Sequence, residues 1–360
     1  MSDSSLDQLR KRIDALDEKL QELLSERAEC ARQVAQAKRS SAEGTEFYRP
    51  EREAEVLRQV RERNQGPLSD QEVVRLFREI MSACLALEQM LTIAYLGPEG
   101  TYSQAATLKH FGHSVQLKPL AAIDEIFREV EAGSVDYGVV PVENSSEGAI
   151  NHTLDMFIRS PLKICGDVEL RIHHQLLSVA ESMDSVTCVR AHQQSLAQCR
   201  EWLAANLPGV ERVAVSSNAE AARLAQEDRT SAAIASDAAA EMYNLNILVG
   251  NIEDDPGNTT RFLVIGDQKV GPSGKDKTSL MLAVHNRSGA LYSLLEPISR
   301  HGVSMTRIES RPSRVSKWDY VFFVDIEGHV SDANVAAALE ELASTASQLK
   351  VLGSYPRCEL

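Results

Sequence analysis

Residues 258–261 place an amide, two hydroxyls and a guanidinium at the start of an apolar run. Residues 254–257 before them read as a turn, and residues 262–265 after them read as a buried strand. An arginine can hold a carboxylate through two hydrogen bonds, and the threonines would then lie over the reacting part of the bound molecule. The stretch indicates a site for a small carboxylated molecule, although these side chains could instead satisfy their own loop backbone.

Composition sets limits on the kind of protein. At 360 residues, with 43% apolar and 25% charged residues, two or three ordinary globular domains are expected. The net charge of −14 argues against nucleic acid or an anionic membrane as partner. No segment reads as a signal peptide or a membrane span. Six scattered cysteines without metal-ligand spacing predict a cytoplasmic protein with no metal site.

Residues 1–91 predict three helices that must pack together. A capping pattern at Ser5 opens a long helix whose apolar residues recur every three or four positions. That apolar seam consists of Leu6, Leu9, Ile13, Leu16, Leu20 and Leu23. A second helix is predicted from Pro50 to Asn64, and a third from Ser69 to about Met90. Because two shorter helices cannot cover the long one, we expect an intertwined dimer.

The helical region resembles the all-helical chorismate mutases. Arg27 and Lys38 share one face of the long helix, and Arg27 interrupts its apolar seam, where an unpaired cation would be costly. The resemblance implies that substrate is bound by Arg10, Arg27, Lys38, Arg52, Glu53 and Glu88. Lys38 and Glu88 would face the breaking ether oxygen, and the rearrangement needs neither nucleophile nor proton transfer.

Three positions depart from better-studied mutases. Some relatives carry glutamine where this chain has Glu88, whose carboxyl must be protonated to donate a hydrogen bond. Arg49 and Cys84 stand where an aspartate and a serine are usual. These departures leave open that the helices survive only as a dimerisation arm.

In residues 92–272, strand-like and helix-like runs alternate. A strand at 92–96 leads into a glycine-rich turn at 97–103, and a strand at 137–142 ends in a polar loop at 143–148. The alternation predicts parallel sheet with helices on its faces, divided into two lobes with the site between them. The turn lacks both the dinucleotide-binding glycine spacing and a P-loop lysine, so no nucleotide is expected.

Both loops and the Thr-Arg-Phe run at 260–262 resemble the prephenate dehydratases, as does the segment at 192–196. The family usually has phenylalanine in place of Tyr102. The resemblance implies a periplasmic-binding-protein-like fold that removes water and carbon dioxide from prephenate. Thr260 would be the catalytic donor and Arg261 would hold a carboxylate, with Glu143 as an alternative donor. The implied substrate-binding residues are Thr101, Ser103, Glu143, Asn144, Ser145, Asn258, Arg261 and Phe262.

Residues 277–356 read as a βαββαβ unit, the order of a ferredoxin-like sandwich. Residues 286–292 and 309–312 resemble the signature motifs of ACT domains. The resemblance implies a phenylalanine site formed by Asn286, Gly289, Ala290, Leu291, Glu309, Ser310, Arg311 and Pro312. The alternative is a dimerisation module that has lost its ligand.

The three resemblances follow the order of the bifunctional chorismate mutase–prephenate dehydratases, with domains at 1–91, 92–272 and 277–356. They imply an enzyme that uses chorismate and prephenate, needs no cofactor, forms at least a homodimer and is inhibited by L-phenylalanine. Two alternatives remain: a dehydratase acting on arogenate, or a non-catalytic amino-acid sensor.

Overall fold

The computed structural model describes residues 3–40, 47–285, 287–312 and 320–358. The chain divides into two compact units. The helical unit comprises Met1–Arg49, Glu55–Leu91 and Phe111–Gln116, and the α/β unit comprises Pro50–Ala54, Thr92–His110 and Leu117–Leu360.

Three helices precede the first strand: α1 (Asp3–Ser40), α2 (Pro50–Arg63) and α3 (Asp70–Glu88). The cap predicted at Ser5 is wrong, because α1 begins at Asp3 and already includes Ser5. The cap predicted at Ser69 is confirmed, since its hydroxyl accepts a 3.2 Å hydrogen bond from the Glu72 backbone. The Glu72 carboxylate pairs with Arg75 at 2.8 Å instead of completing a capping box.

The apolar seam of α1 is largely exposed in the single chain. Its six residues, from Leu6 to Leu23, have between 47% and 61% of their surface accessible. At 1.5 Å per residue, the 38 residues of α1 extend about 57 Å. An apolar stripe of this length is unusual on a monomer and is typical of an interaction surface.

The α/β unit begins with the first lobe. Its elements are β1 (Thr92–Leu96), α4 (Tyr102–Phe111), β2 (Gln116–Leu120), α5 (Ile123–Glu131), β3 (Tyr137–Asn144), β4 (Gly148–Ala149), α6 (Asn151–Arg159) and β5 (Lys163–Arg171). The second lobe follows with β6 (Gln175–Ser178), β7 (Cys188–His192), α7 (Gln193–Gln198), α8 (Arg200–Asn206), β8 (Glu211–Val215), α9 (Asn218–Glu227), β9 (Ser231–Ala235), α10 (Asp237–Met242) and β10 (Asn246–Val249). The chain then returns to the first lobe as β11 (Thr259–Gly266).

The two lobes are confirmed, but the prediction of parallel sheet is wrong in part. The first sheet has the order β2-β1-β3-β11-β5, and the second β10-β6-β9-β7-β8. Strands β1 and β3 are parallel, whereas β11 runs antiparallel to both β3 and β5. In the second sheet, β7 is parallel to β8 and β9, while β6 is antiparallel to β9 and β10. Apart from the short β3–β4 pair, the antiparallel pairs involve strands next to the two crossings between the lobes, which the local alternation does not reveal.

The C-terminal domain consists of β12 (Asp276–Val284), α11 (Ala290–Arg300), β13 (Met305–Pro312), β14 (Tyr320–Glu327), α12 (Ala333–Thr345) and β15 (Gln348–Pro356). Its sheet order, β13-β14-β12-β15, confirms the ferredoxin-like arrangement. Both helices pack on one face of the sheet, around Leu294, Val335 and Leu342.

The other face of this sheet packs directly on the first lobe. Met281 and Phe323 of the C-terminal domain share one hydrophobic core with Val140 and Leu263 of the first lobe. At Gly353 the approach is so close that an added Cβ would lie 2.1 Å from the backbone oxygen of Ile164. The C-terminal domain and the first lobe therefore share a continuous interior.

Candidate active site

A cavity of about 260 Å³ lies between the two lobes of the α/β unit. Its wall includes residues from the β1–α4 turn, the ends of β3 and β11, the crossing after β5 and several loops of the second lobe. The lining residues are Leu96, Gly97, Gly100, Thr101, Tyr102, Ser103, Asn144, Ile172, His174, His192, Gln194, Ser195, Gln198, Ser216, Ser217, Asn218, Ser236 and Thr260.

Thr260 and Asn144 form the polar centre of the first-lobe wall. They are paired in the register of β11 and β3, and Asn144 Nδ2 donates a 2.9 Å hydrogen bond to Thr260 Oγ1. Among the described residues, no acceptor takes the proton of the Thr260 hydroxyl. Because the Asn144 bond fixes Oγ1 as an acceptor, that proton is free for a molecule in the cavity.

Asn258 lies beside this pair and is almost completely buried. Its Oδ1 accepts a second 2.9 Å hydrogen bond from Asn144, while its Nδ2 has no partner among the described residues. The Asn144 Oδ1 accepts the backbone N–H groups of Ser146 and Glu147, at 3.0 and 3.2 Å. The amide of Asn144 is therefore held at both ends, which fixes the direction in which it faces Thr260.

The N-termini of two ten-residue helices, α4 and α9, lie at the cavity wall. Helix α4 begins at Tyr102, and α9 begins at Asn218 after Ser217, whose hydroxyl accepts the Glu220 N–H at 3.0 Å. Helix N-termini carry partial positive charge and backbone N–H donors. No lysine or arginine is among the described lining residues, so these helix ends are the main fixed positive charge facing the cavity.

A hydrogen-bonded group of three side chains forms the wall near the crossing after β5. The two ring nitrogens of His174 lie 2.9 Å from the Tyr102 hydroxyl and 2.9 Å from Gln198 Oε1. Burial lowers the pKa of His174 below its usual value, so the imidazole is neutral at physiological pH. The Gln198 Nε2 is buried and has no hydrogen-bond partner among the described residues.

Arg261 does not reach the cavity, and the expectation that it grips a substrate carboxylate there needs correction. Its guanidinium bonds Asp167 at 3.1 Å, Asp325 at 2.6 Å and the Tyr355 hydroxyl at 3.0 Å. Successive side chains of a strand point to opposite faces, so the residue after Thr260 faces the C-terminal domain. Burial would lower the pKa of Arg261, but Tyr355 and the two carboxylates raise it, so this cation is permanent.

Other first-lobe predictions divide between the cavity and its surroundings. Thr101 and Ser103 line the cavity, as expected. Glu143 lies outside the lining and forms an ion pair with Arg307 at 2.7 Å. Ser145 supports the Asn258 loop, because its hydroxyl accepts the Thr259 N–H at 2.9 Å. Phe262 is buried in the interior of the first lobe, so its contribution is packing rather than contact with a ligand.

The helical unit has its own group of charged side chains. Burial raises the pKa of Glu88, while the nearby charges of Lys38 and Arg27 oppose that rise. The Glu88 Oε2 is buried without a hydrogen-bond partner among the described residues. Arg10 lies 17 residues before Arg27 on the same straight helix, about 25 Å away, and pairs with Asp7 at 3.5 Å. Arg52 and Glu53 are assigned to the α/β unit.

In the C-terminal domain, the two predicted effector motifs occupy the start of α11 and the end of β13. Gly289 has a φ of 77° and precedes α11, with Ala290 and Leu291 in its first turn. Residues 309–312 all lie on the edge strand β13, and Arg311 pairs from there with Asp155 of α6 at 3.1 Å. Asn286 falls outside the described residues.

Comparison with known proteins assigns each region. The sequence profile of type II chorismate mutase matches residues 9–89, that of prephenate dehydratase matches 93–270, and that of the ACT domain matches 278–344. A bifunctional chorismate mutase/prephenate dehydratase from Stutzerimonas stutzeri is 59% identical over 357 residues, covering 98% of both chains. The chain belongs to the bifunctional chorismate mutase/prephenate dehydratase family.

Two solved structures resemble the dehydratase and ACT regions. Prephenate dehydratase from Arthrobacter aurescens, in complex with L-Phe, is 32% identical, with a TM-score of 0.70 over 75% of this chain and 91% of that one. GqqA, described as a novel type of quorum quenching acylase, is 30% identical, with a TM-score of 0.69 over 74% and 98%. The chain is thus an enzyme that carries mutase, dehydratase and ACT regions in that order.

Sequence reasoning missed most of the second-lobe wall of the dehydratase site. His174 lies in the crossing after β5, Gln198 ends α7 and Asn218 begins α9, and none stands in a pattern that predicts chemistry by itself. The segment at 192–196 was noted as a family resemblance, and three of its residues line the cavity. Among the described residues, no helix could cross a membrane, and no cluster of side chains could hold a metal ion.

Proposed function

We propose that the helical unit converts chorismate to prephenate and that the cleft then converts prephenate to phenylpyruvate. The observation that carries the second assignment is the Thr260–Asn144 pair, which leaves a hydroxyl proton directed at the cavity. Prephenate is a dianion, and the N-termini of α4 and α9 supply positive potential without a cationic side chain.

In this scheme the ring C–O bond breaks as Thr260 donates its proton to the leaving hydroxyl, which departs as water, and the threonine regains a proton from solvent. The bond to the departing carboxylate breaks, carbon dioxide leaves, and its electron pair enters the ring, which becomes aromatic. The two bond cleavages require no redox change. Thr260 is favoured over Glu143 as donor because Thr260 lines the cavity, whereas the Glu143 carboxylate pairs with Arg307.

For the mutase step, Lys38 and Glu88 would act on the ether oxygen that is released as the rearrangement proceeds. The raised pKa of Glu88 favours the protonated form, which can donate a hydrogen bond to that oxygen. The 25 Å between Arg10 and Arg27 rules out a single ligand contacting both on one helix. We infer an intertwined dimer in which the exposed seams of two α1 helices pack together and the partner supplies Arg10.

We infer that the ACT domain binds L-phenylalanine and mediates feedback inhibition, an activity consistent with the phenylalanine complex of the Arthrobacter aurescens protein. Ligand binding that favours an inactive arrangement shifts the population of active enzyme. A cytoplasmic location is supported by the cysteines, since all six are free thiols.

The deciding experiment is product analysis after chorismate is given to the purified protein, with and without L-phenylalanine. Phenylpyruvate formed from chorismate and suppressed by phenylalanine is the expected result. Accumulated prephenate would refute the dehydratase assignment, and untouched chorismate beside turnover of added prephenate would refute the mutase assignment. Faster turnover of arogenate than of prephenate would reassign the substrate, and no turnover of any substrate would favour an amino-acid sensor.

A further inference from the structure

The catalytic pair of the cleft has a neighbouring pair that faces the opposite way. In the antiparallel register of β11 and β3, Thr260 is opposite Asn144, and Arg261 is opposite Glu143. Thr260 and Asn144 line the cavity, whereas Arg261 and Glu143 contact the C-terminal domain. One step along the two strands therefore leads from the cleft to the ACT domain.

The ACT domain presents a matching pair of opposite charge. Arg307 of β13 is opposite Asp325 of β14 in the register of its sheet. Arg307 Nε lies 2.7 Å from Glu143 Oε2, and Asp325 Oδ2 lies 2.6 Å from Arg261 Nη1. We call these four residues the charge quartet: two cross-strand pairs, one from each domain, joined by two ion pairs.

The quartet is held from both sides. Asp325 Oδ1 also accepts a 2.5 Å hydrogen bond from Ser279 Oγ. Asp167 Oδ2 lies 3.1 Å from Arg261 Nε and 2.8 Å from Lys277 Nζ, so it links the two cations. Burial alone would raise the pKa of Asp167, but the charges of Arg261 and Lys277 lower it, so it remains ionised. Glu143 is 38% exposed, but Arg261, Asp167 and Asp325 are buried, and buried charges are costly to separate, which favours two discrete arrangements over gradual drift.

The pairing of β11 with β3 is irregular at this point, while β11 keeps its register with β5 there. The register of β11 and β3 shifts between Arg261 and Phe262, which marks a β-bulge directly beside the catalytic pair. On the ACT side, Arg307 lies two residues before Glu309, where the second effector motif begins. The quartet thus joins the bulged part of the cleft wall to the strand that carries this motif.

We propose that the charge quartet is the joint through which phenylalanine on the ACT domain acts on the dehydratase cleft. The proposal rests on the proposed feedback function and adds its route. Movement of β13 on effector binding pulls Glu143 through Arg307 and, by the shared register, displaces Asn144 and Thr260. Substitution of Arg307 or Asp325 should leave the cleft and the phenylalanine site intact. Phenylalanine binding should then no longer affect the cleft.

The test compares Arg307→Met and Asp325→Asn with the wild type in the full-length protein. Dehydratase turnover of prephenate is measured against phenylalanine concentration, and phenylalanine binding is measured separately by calorimetry. We expect both variants to keep uninhibited turnover within about threefold and phenylalanine affinity within about threefold. Turnover remaining at saturating phenylalanine should rise about tenfold or more over the wild type, a typical size for lost coupling. Arg307→Lys should retain most of the inhibition.

Arg300→Met is the matched control, since Arg300 lies in the same domain and pairs with Glu296 and Glu341, away from the quartet. It should be inhibited like the wild type. Wild-type inhibition of Arg307→Met and Asp325→Asn would overturn the proposal, as would loss of phenylalanine binding in both. If the wild type itself is active but indifferent to phenylalanine, the feedback function fails, a result distinct from failure of the joint alone.

Discussion

Asn144 Nδ2 lies 2.9 Å from Thr260 Oγ1, across the register that joins the ends of β3 and β11. The same nitrogen lies 2.9 Å from Asn258 Oδ1, so a single amide aligns both the hydroxyl and the neighbouring loop. Because the amide's oxygen is held by two backbone N–H groups, it cannot turn without breaking several hydrogen bonds. The position of the Thr260 hydroxyl, the proposed donor, is thus set before any ligand arrives.

Replacing Thr260 by valine should remove dehydratase activity while keeping the shape of the side chain. The loss in kcat is expected to be about 10²–10⁴-fold, the usual contribution of a positioned proton donor. Thr260→Ser keeps a hydroxyl and should lose no more than about tenfold. Both variants should convert chorismate to prephenate at the wild-type rate, measured in the same preparation. Undiminished dehydration by Thr260→Val would remove the hydroxyl from the mechanism.

Mutase activity should fall as pH rises through the pKa of Glu88. The raised pKa means that the protonated donor is present below that pKa and lost above it. Glu88→Gln donates a hydrogen bond at every pH, so its profile of kcat/KM should be flat over the same range. Glu29→Gln, an exposed carboxylate on α1, is the matched control and should keep the wild-type profile. A flat profile in the wild type would contradict a role for the Glu88 carboxyl.

A shared mutase site predicts complementation between two inactive variants. Arg10→Ala and Lys38→Ala should each lose most mutase activity. When they are unfolded and refolded together, half of the dimers should be mixed, and each mixed dimer should contain one intact site. Recovery of about a quarter of the wild-type activity is expected for random pairing of two copies. If Arg10 served the site of its own chain, mixing would restore nothing.

Acid should destabilise the α/β unit through His174. The pKa of this buried imidazole is lower in the folded than in the unfolded chain, so the unfolded chain binds more protons between the two values. The contribution of His174 to the free energy of unfolding is therefore fully present above its unfolded pKa of about 6.5, and it declines as pH falls below that value. The urea midpoint should fall between pH 7 and pH 5, and by less in His174→Gln, which carries no titrating ring. Equal declines in both proteins would assign the acid sensitivity to other groups.

The sequence predicts the parts of this enzyme whose signals are local. The three helices, the strand at 92–96 and the βαββαβ order follow from apolar spacing and turn residues, and Thr260 and Asn144 lie in the cleft as expected. The direction of Arg261 was not predictable in the same way. Alternation along β11 shows that Thr260 and Arg261 face opposite sides, but only the packing of the ACT sheet shows which side is a cavity.

The second-lobe wall was missed for a related reason. His174, Gln198 and Asn218 are distant in sequence and are brought together by the crossing after β5 and the fold of the second lobe, a long-range arrangement without a local pattern. The crossings between the lobes explain the error in sheet direction, since β11 enters beside β3 from the far lobe. Burial of Glu88 against Lys38 and Arg27 likewise depends on α1 and α3 packing, which spacing alone does not fix.

The position of β11 also determines when the dehydratase can first exist during synthesis. This strand lies between β3 and β5, yet the ribosome produces it only after the whole second lobe, residues 175–249, has emerged. Until then the nascent first sheet lacks the strand that carries Thr260. The three N-terminal helices are synthesised far earlier, so a ribosome-bound chain contains its mutase helices long before the dehydratase cleft can form.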